Sequence, residues 1–405
     1  MIGTERKRSM IIKPRTRGFI CTTAHPEGCA KQVQEQIDYI QSQPKWEGPK
    51  RVLVLGASTG YGLSARIAAA FGAGADTIGV FRPSAATDKR TASAGWYNSA
   101  AFERKAAEAG LKSISVTGDA FTDETKDRVL DAIAKEFGQV DLVVYSVAAP
   151  RRTDPDTGET FNSVLKPIGA PYSNKTVNFH TGEVTDVTIE PAEGDDIAQT
   201  VAVMGGADWQ RWIDRLQAAG LLAEGAVTIA YSYIGSEITQ AIYRDGTIGQ
   251  AKDDLEATAL RLGDQLSPIG GRAYVSVSKA LVTQSSSAIP VVPLYVSALY
   301  KIMKEKGLHE NTIQQSHRLF ADRLYHPAGT PVDEKGRIRI DDWELRADVQ
   351  EEVDAVWNRV DTDSIYSLTD LEGYRREFFQ LFGFETEGVD YDQDVDPQVE
   401  IPGAK

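Results

Sequence analysis

The chain is poor in cysteine: its 405 residues include only Cys21 and Cys29. A disulfide-stapled extracellular scaffold of this size needs more, so the usage points to a reducing, cytoplasmic setting. Long apolar runs are missing too. No stretch reaches about 18 apolar residues, so no membrane span is expected. Arg6, Lys7 and Arg8 stand near the start, but no apolar segment follows them, and no secretory signal is expected. Positive charge is scarce: 44 Lys and Arg stand against 58 Asp and Glu, for a formal net charge of −14. That balance lacks the basic face that neutralises phosphate backbones, which argues against a nucleic-acid binder. A local basic pocket for cofactor phosphates is still allowed. His25 and Cys29 are four positions apart without clear partners, so they read as structural and no metal site is expected.

What is present is an ordinary globular balance, 41% hydrophobic and 25% charged, with no repeat or low-complexity tract. Val33, Ile37 and Ile40 recur at helical spacing. Residues 51–55 then form a short apolar run of the kind found in buried parallel strands. Strand and helix alternate from there. Strands are expected at 77–81, 113–116 and 140–145. Helices are expected around 101–109 and around Val129, Ile133 and Phe137. Further strands are expected at 227–234 and 273–277. Helices are expected over 255–262, toward Met303, and around 313–325 and 349–360. Strict alternation implies a Rossmann-type α/β fold with a doubly wound parallel sheet. Residues 150–191 break the pattern with polar turns. They read as an insertion of loops and hairpins, either surface decoration or a lid or substrate wall. The chain is read as one domain over 1–405, with a C-terminal helical cover over about 290–405.

Between the first strand and its helix lie Gly56, Ala57, Ser58, Thr59, Gly60, Tyr61 and Gly62. Glycines let a backbone turn sharply against a pyrophosphate, and the helix N-terminus offers N–H groups to the anion. In this strand–turn–helix context the stretch points to a dinucleotide. The second strand ends at Phe81, Arg82, Pro83 and Ser84, with no acid. An acid there would hold a ribose 2′-hydroxyl, whereas Arg accommodates a 2′-phosphate. Arg82 is therefore either a phosphate ligand or a solvated loop residue. Asp119 and Ala120 follow the third strand. Asp119 can accept from an adenine amino group or serve as a cap or turn residue. Val147 and Ala148 end the fourth strand with small side chains, which lets a cofactor lie close.

Tyr243 and Lys252 follow the fifth strand. Nine positions on an unbroken helix would turn them to opposite faces. Asp245, Gly246 and Gly249 argue for an interruption between them. Both can then face one cofactor, with the Lys252 ammonium lowering the Tyr243 pKa. Tyr231 and Tyr233 share a strand face by alternation. One can reach a substrate carbonyl, and core packing is the expected role of Tyr231.

These residues resemble a known family. The stretches Ala24–Cys29, Gly95–Asn98, Arg152–Gly158, Met204–Gly206, Tyr231–Gly235, Gly246–Gly249 and Ile338–Trp343, with the Tyr-x8-Lys spacing, look like the trans-2-enoyl-CoA and enoyl-acyl-carrier-protein reductases of the FabV type. The likeness runs from Ile11 to Tyr391. It implies a monomeric, extended short-chain-dehydrogenase fold that reduces an enoyl thioester, on coenzyme A or acyl carrier protein, with NADH. It implies Tyr243 as proton donor, Tyr233 as substrate contact and Lys252 as cofactor contact. It also places Gly56 to Tyr61, Asp119, Ala120, Val147, Ala148 and the main chain of Leu281, Val282 and Thr283 along the cofactor. The family's usual Phe-Glu after the second strand is Arg82-Pro83 here, which opens the way to NADPH. Asp253 replaces a second Lys, which leans toward coenzyme A substrates. Family descriptions sometimes mention a flavin, but no residue here demands one. Two other readings are a short-chain dehydrogenase acting on a ketone or alcohol and a dinucleotide sensor without chemistry.

Overall fold

Seven strands pair in parallel into one sheet in the computed structural model, which describes residues 9–404. Arg6, Lys7 and Arg8 lie outside them. The strands are β1 (Arg51–Leu55), β2 (Asp76–Phe81), β3 (Ser113–Thr117), β4 (Val140–Tyr145), β5 (Leu222–Ser232), β6 (Arg272–Val277) and β7 (Ile338–Arg339). Their spatial order is β3-β2-β1-β4-β5-β6-β7. The chain winds outward from β1, then returns to lay β4 on its other side. That reversal opens a crevice beyond the carboxyl ends of β1 and β4, where ligands bind in such sheets.

Alternation along β1 feeds two cores. Val52 and Val54 face α1 (Pro26–Ser42), α2 (Gly60–Ile67) and α3 (Ala94–Glu108). Leu53 and Leu55 face α4 (Asp123–Glu136) and α6 (Ala207–Ala218). The helix α5 (Asp196–Met204) precedes α6, and α7 (Thr247–Leu266) bridges β5 and β6. A third core lies away from the sheet. There α8 (Val292–Glu305), α10 (Ala347–Arg359) and α11 (Leu371–Gln380) pack around Tyr295, Trp357 and Phe378, while α9 (Thr312–Leu319) returns to the first core.

The insertion forms two hairpins, Arg151–Thr153 with Thr160–Asn162 and Tyr172–Asn178 with Glu183–Ile189. The second is bolted to α10. Lys175 Nζ donates to the carbonyls of Trp357 at 2.9 Å and Val360 at 3.0 Å, and Trp357 Nε1 donates to Asn174 Oδ1 at 3.1 Å. Val177 and Phe179 are buried in the third core. Held this way, the hairpin is docked on the C-terminal helices, and none of its residues lines the crevice beside the sheet. The C-terminal cover is also not purely helical, because Ile338 and Arg339 add β7 beside β6.

One buried ion pair fixes the loop after β3. Lys126 Nζ donates to Asp208 Oδ1 at 2.7 Å and to the carbonyls of Ala120 at 2.7 Å and Phe121 at 3.1 Å. Tyr145 completes Asp208 from β4 with a 3.1 Å hydrogen bond. Burial pushes the Lys126 pKa down and the Asp208 pKa up, each opposed by the other's charge. Removing one partner leaves an uncompensated buried charge. Asp208→Asn is expected to cost about 3–5 kcal/mol in urea unfolding, and Lys126→Met with Asp208→Leu to recover most of that loss.

Candidate active site

The crevice is a cavity of about 1330 Å³. That exceeds the usual span of about 300–1,000 Å³ for a single small-molecule site, and it suits two ligands lying end to end.

Its floor is the glycine turn. Gly56 has φ 85°, and a Cβ there would lie 2.0 Å from the Ser146 carbonyl oxygen. A Cβ on Gly62 would lie 2.0 Å from the Gly56 carbonyl oxygen. At Gly60 the opposite holds: φ is 54° and no atom stands within 4 Å of a built Cβ. Thr59 caps α2 without a side-chain hydrogen bond. The first N–H groups of α2 are thus left for an anion, with open space in front of them. This cradle fits the pyrophosphate of a dinucleotide.

Gly56, Ser58, Thr59, Gly60 and Tyr61 line the cavity from the turn, and Arg82, Asp119 and Ala120 line it from the ends of β2 and β3. Val147 and Ala148 line it beyond β4, and Leu281, Val282 and Thr283 beyond β6. Two of the expected cofactor contacts are not in the lining. Ala57 is buried, its N–H donates to Val80 O at 3.1 Å, and its methyl packs toward Gly79. Pro83 is half-buried, sits outside the wall and has no N–H to offer. Asp119 Oδ1 accepts the Phe121 N–H at 3.0 Å, so Asp119 shapes a turn, while Thr122 caps α4. The Val282 and Thr283 N–H groups already donate to Tyr300 Oη at 3.0 Å and Ser286 Oγ at 2.9 Å. Neither reaches a ligand without giving up that bond.

Tyr243 sits in a turn, and Lys252 sits in the second turn of α7, which starts at Thr247. The glycines between them explain the break. A Cβ at Gly249 would lie 1.8 Å from the Arg244 carbonyl oxygen, and one at Gly246 would lie 2.7 Å from that of Lys166. Tyr233, Tyr243 and Lys252 all line the cavity. The rings of Tyr233 and Tyr243 meet edge to face with centroids 5.0 Å apart. Tyr243 Oη has no protein partner among the described residues, whereas Tyr233 Oη donates to Glu344 Oε1 at 3.0 Å. Arg244 is held by Asp253 in an ion pair, which steadies the turn.

The expected lowering of the Tyr243 pKa is not found. Burial pushes it well up, opposed by Arg244 and not by Lys252. Lys252 Nζ instead donates to the Tyr231 carbonyl at 3.0 Å. Tyr231 is half-buried, packs its ring against that of Tyr61 with centroids 5.3 Å apart, and also lines the cavity. His25 is a helix cap: its Nδ1 accepts the Gly28 N–H at 3.2 Å. Among the described residues no group of three His, Cys, Asp or Glu side chains can hold a metal.

Two residues, Glu344 and Lys279, were missed by sequence reasoning. Glu344 is fully buried and gathers Tyr233 Oη, Tyr295 Oη at 2.7 Å and the Ala280 N–H at 2.7 Å. Burial pushes its pKa up, opposed by Lys279. Lys279 lines the cavity, and burial pulls its pKa down to about 8. The available signal was position alone, since Glu344 follows directly on the Ile338–Trp343 stretch.

An open parallel sheet with a glycine turn at its switch point, and a tyrosine and lysine across the crevice, defines a Rossmann-type dinucleotide site of the short-chain-dehydrogenase class. Sequence profiles narrow it further. One described as the trans-2-enoyl-CoA reductase catalytic region matches residues 90–325. The NAD(P)H binding domain of trans-2-enoyl-CoA reductase matches 11–88, and an enoyl reductase FAD binding domain matches 332–395. An enoyl-[acyl-carrier-protein] reductase [NADH] of Flavobacterium johnsoniae is 60% identical over 98% of this chain and 100% of its own length. A trans-2-enoyl-CoA reductase [NADH] of Ruminiclostridium cellulolyticum is 58% identical over 97% of this chain and 100% of its own. The crystal structure of the Treponema denticola trans-2-enoyl-CoA reductase in complex with NAD superposes with a TM-score of 0.93 at 51% identity, covering 97% of this chain and 100% of that one. The chain belongs to the trans-2-enoyl-CoA reductase family.

The segment matched by the flavin-named profile does not fit a flavin. Its cavity-lining residues are Glu377, Gln380, Leu381 and Phe382. One carboxylate and one amide are the wrong donor set for a flavin's phosphates. Tyr374, Phe378 and Phe384 of this segment are spent on the third core.

Keeping Lys252 in this site costs stability. Burial lowers its pKa from 10.5 to about 8. The unfolded chain therefore binds more protons between those values, and stability rises with pH across that window. At neutral pH the ammonium is charged in both states and the penalty is complete. Lys252→Met is expected to stabilise the fold at pH 7 by on the order of 3 kcal/mol in urea titrations, an advantage that fades above about pH 10.

Proposed function

We propose that this chain reduces the trans-2 double bond of an enoyl thioester with NADH, giving the saturated acyl thioester. The observation that carries the reading is the Tyr243 hydroxyl. It has no protein partner among the described residues and stands with Tyr233 and Lys252 in the wall of a cavity whose floor is a pyrophosphate cradle. The names of the full-length relatives support the same chemistry.

When bound, reduced nicotinamide supplies the hydride that goes to Cβ of the enoyl group. Negative charge then gathers on the thioester oxygen, and a donor placed there stabilises the enolate. Tyr243 is that donor, because Tyr233 commits its one proton to Glu344. The proton that completes the saturated chain at Cα comes from the Tyr243 hydroxyl, which regains one from solvent. A phenol whose pKa is pushed up by burial keeps its proton until charge appears beside it. Glu344 fixes the Tyr233 ring against that of Tyr243, and its hold on the Ala280 N–H anchors the 280–283 wall. Lys252 places a cation under the end of β5, in the wall of the same cavity.

The carrier is coenzyme A or acyl carrier protein, and the chain works as a cytoplasmic monomer. The two cysteines are free and buried, and among the described residues no helix is long and apolar enough to cross a membrane.

Tyr243→Phe is expected to lower kcat on crotonyl-CoA at least about 100-fold while the Kd for NADH changes little. Loss of NADH absorbance and a fluorescence titration measure the two. A variant with wild-type kcat would remove Tyr243 from the mechanism. A wild-type enzyme that binds NADH but oxidises it with no enoyl thioester would remove the reaction.

A further inference from the structure

The end of β2 carries a cation where a ribose diol calls for an acid. Phe81 closes the strand, and Arg82, Pro83 and Ser84 follow without a carboxylate among them. In a doubly wound nucleotide site this position meets the adenine-side ribose. An acid there accepts the 2′-hydroxyl, and an Arg accommodates a 2′-phosphate. The Arg82 side chain lines the cavity and is 76% exposed. The carboxylate beside it, Asp119, is already engaged. Its Oδ2 takes the Arg82 guanidinium at 3.0 Å and its Oδ1 takes the Phe121 N–H at 3.0 Å.

We propose that Arg82 is a specificity determinant that admits a 2′-phosphorylated dinucleotide, so that NADPH serves this enzyme as well as NADH. The proposal rests on the dinucleotide reading above and adds the class of nucleotide the site takes.

The energetics favour it. An exposed ion pair such as Arg82 with Asp119 contributes only about 0–1 kcal/mol, so turning the guanidinium costs little. A planar guanidinium matches phosphate in a bidentate geometry, and such charge-assisted bonds are roughly twice as strong as neutral ones. Five N–H donors let it hold Asp119 and a phosphate together. Its backbone is steadied from the loop that follows. The Ser84 N–H donates to Ser93 Oγ at 3.1 Å, and the Ser93 N–H donates to Ser84 O at 2.9 Å.

Calorimetric titration of the full chain with 5′-ADP and with 2′,5′-ADP tests this directly. The wild type is expected to bind 2′,5′-ADP at least about tenfold tighter than 5′-ADP. Arg82→Ala is expected to bring the two affinities level, and Arg82→Glu to reverse the preference, with Tm recorded for each variant. The ratio of kcat/KM for NADPH over NADH is expected to fall in the same order. Equal binding of both nucleotides by the wild type, or a ratio that Arg82→Ala leaves unmoved, overturns the proposal while the dinucleotide site stands. Binding of neither nucleotide overturns both.

Discussion

The cleft depends on how closely two pieces of backbone approach where the sheet reverses. Gly56 leaves β1 with its Cα against the Ser146 carbonyl, at a place where even a methyl group would sit 2.0 Å from oxygen. Because nothing fills that gap, β1 and β4 end side by side and their chains part on opposite courses. Gly62 repeats the device one helical turn on, against Gly56 itself. A side chain at either point would drive the end of β4, with Val147 and Ala148, into the space a nucleotide needs. Steric exclusion places the binding site before any attractive contact forms.

The attractive part of the site is bought with buried charge. Lys252 and Lys279 both stand in the cavity wall with pKa values pulled down to about 8 by burial. Glu344 stands near Lys279, fully buried, with three donors on its two oxygens. Groups of this kind oppose folding, and they persist where fixed polarity is useful. The geometry divides labour between the tyrosines. Tyr233 is locked by Glu344, and among the described residues no protein group claims the Tyr243 hydroxyl.

Much of the sheet was legible because its signals are local. The runs at 51–55 and 140–145 are apolar on both faces, as only a strand covered twice can be. The glycines at 246 and 249 announced a break before α7, and the break is there. What escaped was set by distance. The two-residue β7 owes its strand geometry to β6 and carries no pattern of its own. Trp209, Trp212, Ile213 and Leu216 do mark α6 by their spacing, but that helix follows a polar insertion and went unread. In the site, the phosphate turn and the Tyr–Lys pair could be seen in the sequence. Glu344 could not, because it reaches Tyr233 across 111 positions of chain. The electrostatics of Tyr243 were misjudged for a similar reason, since neither its burial nor the attachment of Lys252 to Tyr231 is visible in sequence.

The hairpin bolted to α10 has a bearing on biosynthesis. Lys175 meets the Trp357 carbonyl across 182 positions. The nucleotide-binding strands leave the ribosome early, yet this hairpin docks, and the cavity gains Glu377, Gln380, Leu381 and Phe382, only after almost the whole polypeptide has emerged. The nascent chain must carry a crevice that still lacks its lining from residues 377–382 through most of its translation. Closure of that crevice is a late, long-loop event, and slow closure of this kind exposes a chain to aggregation and to chaperones.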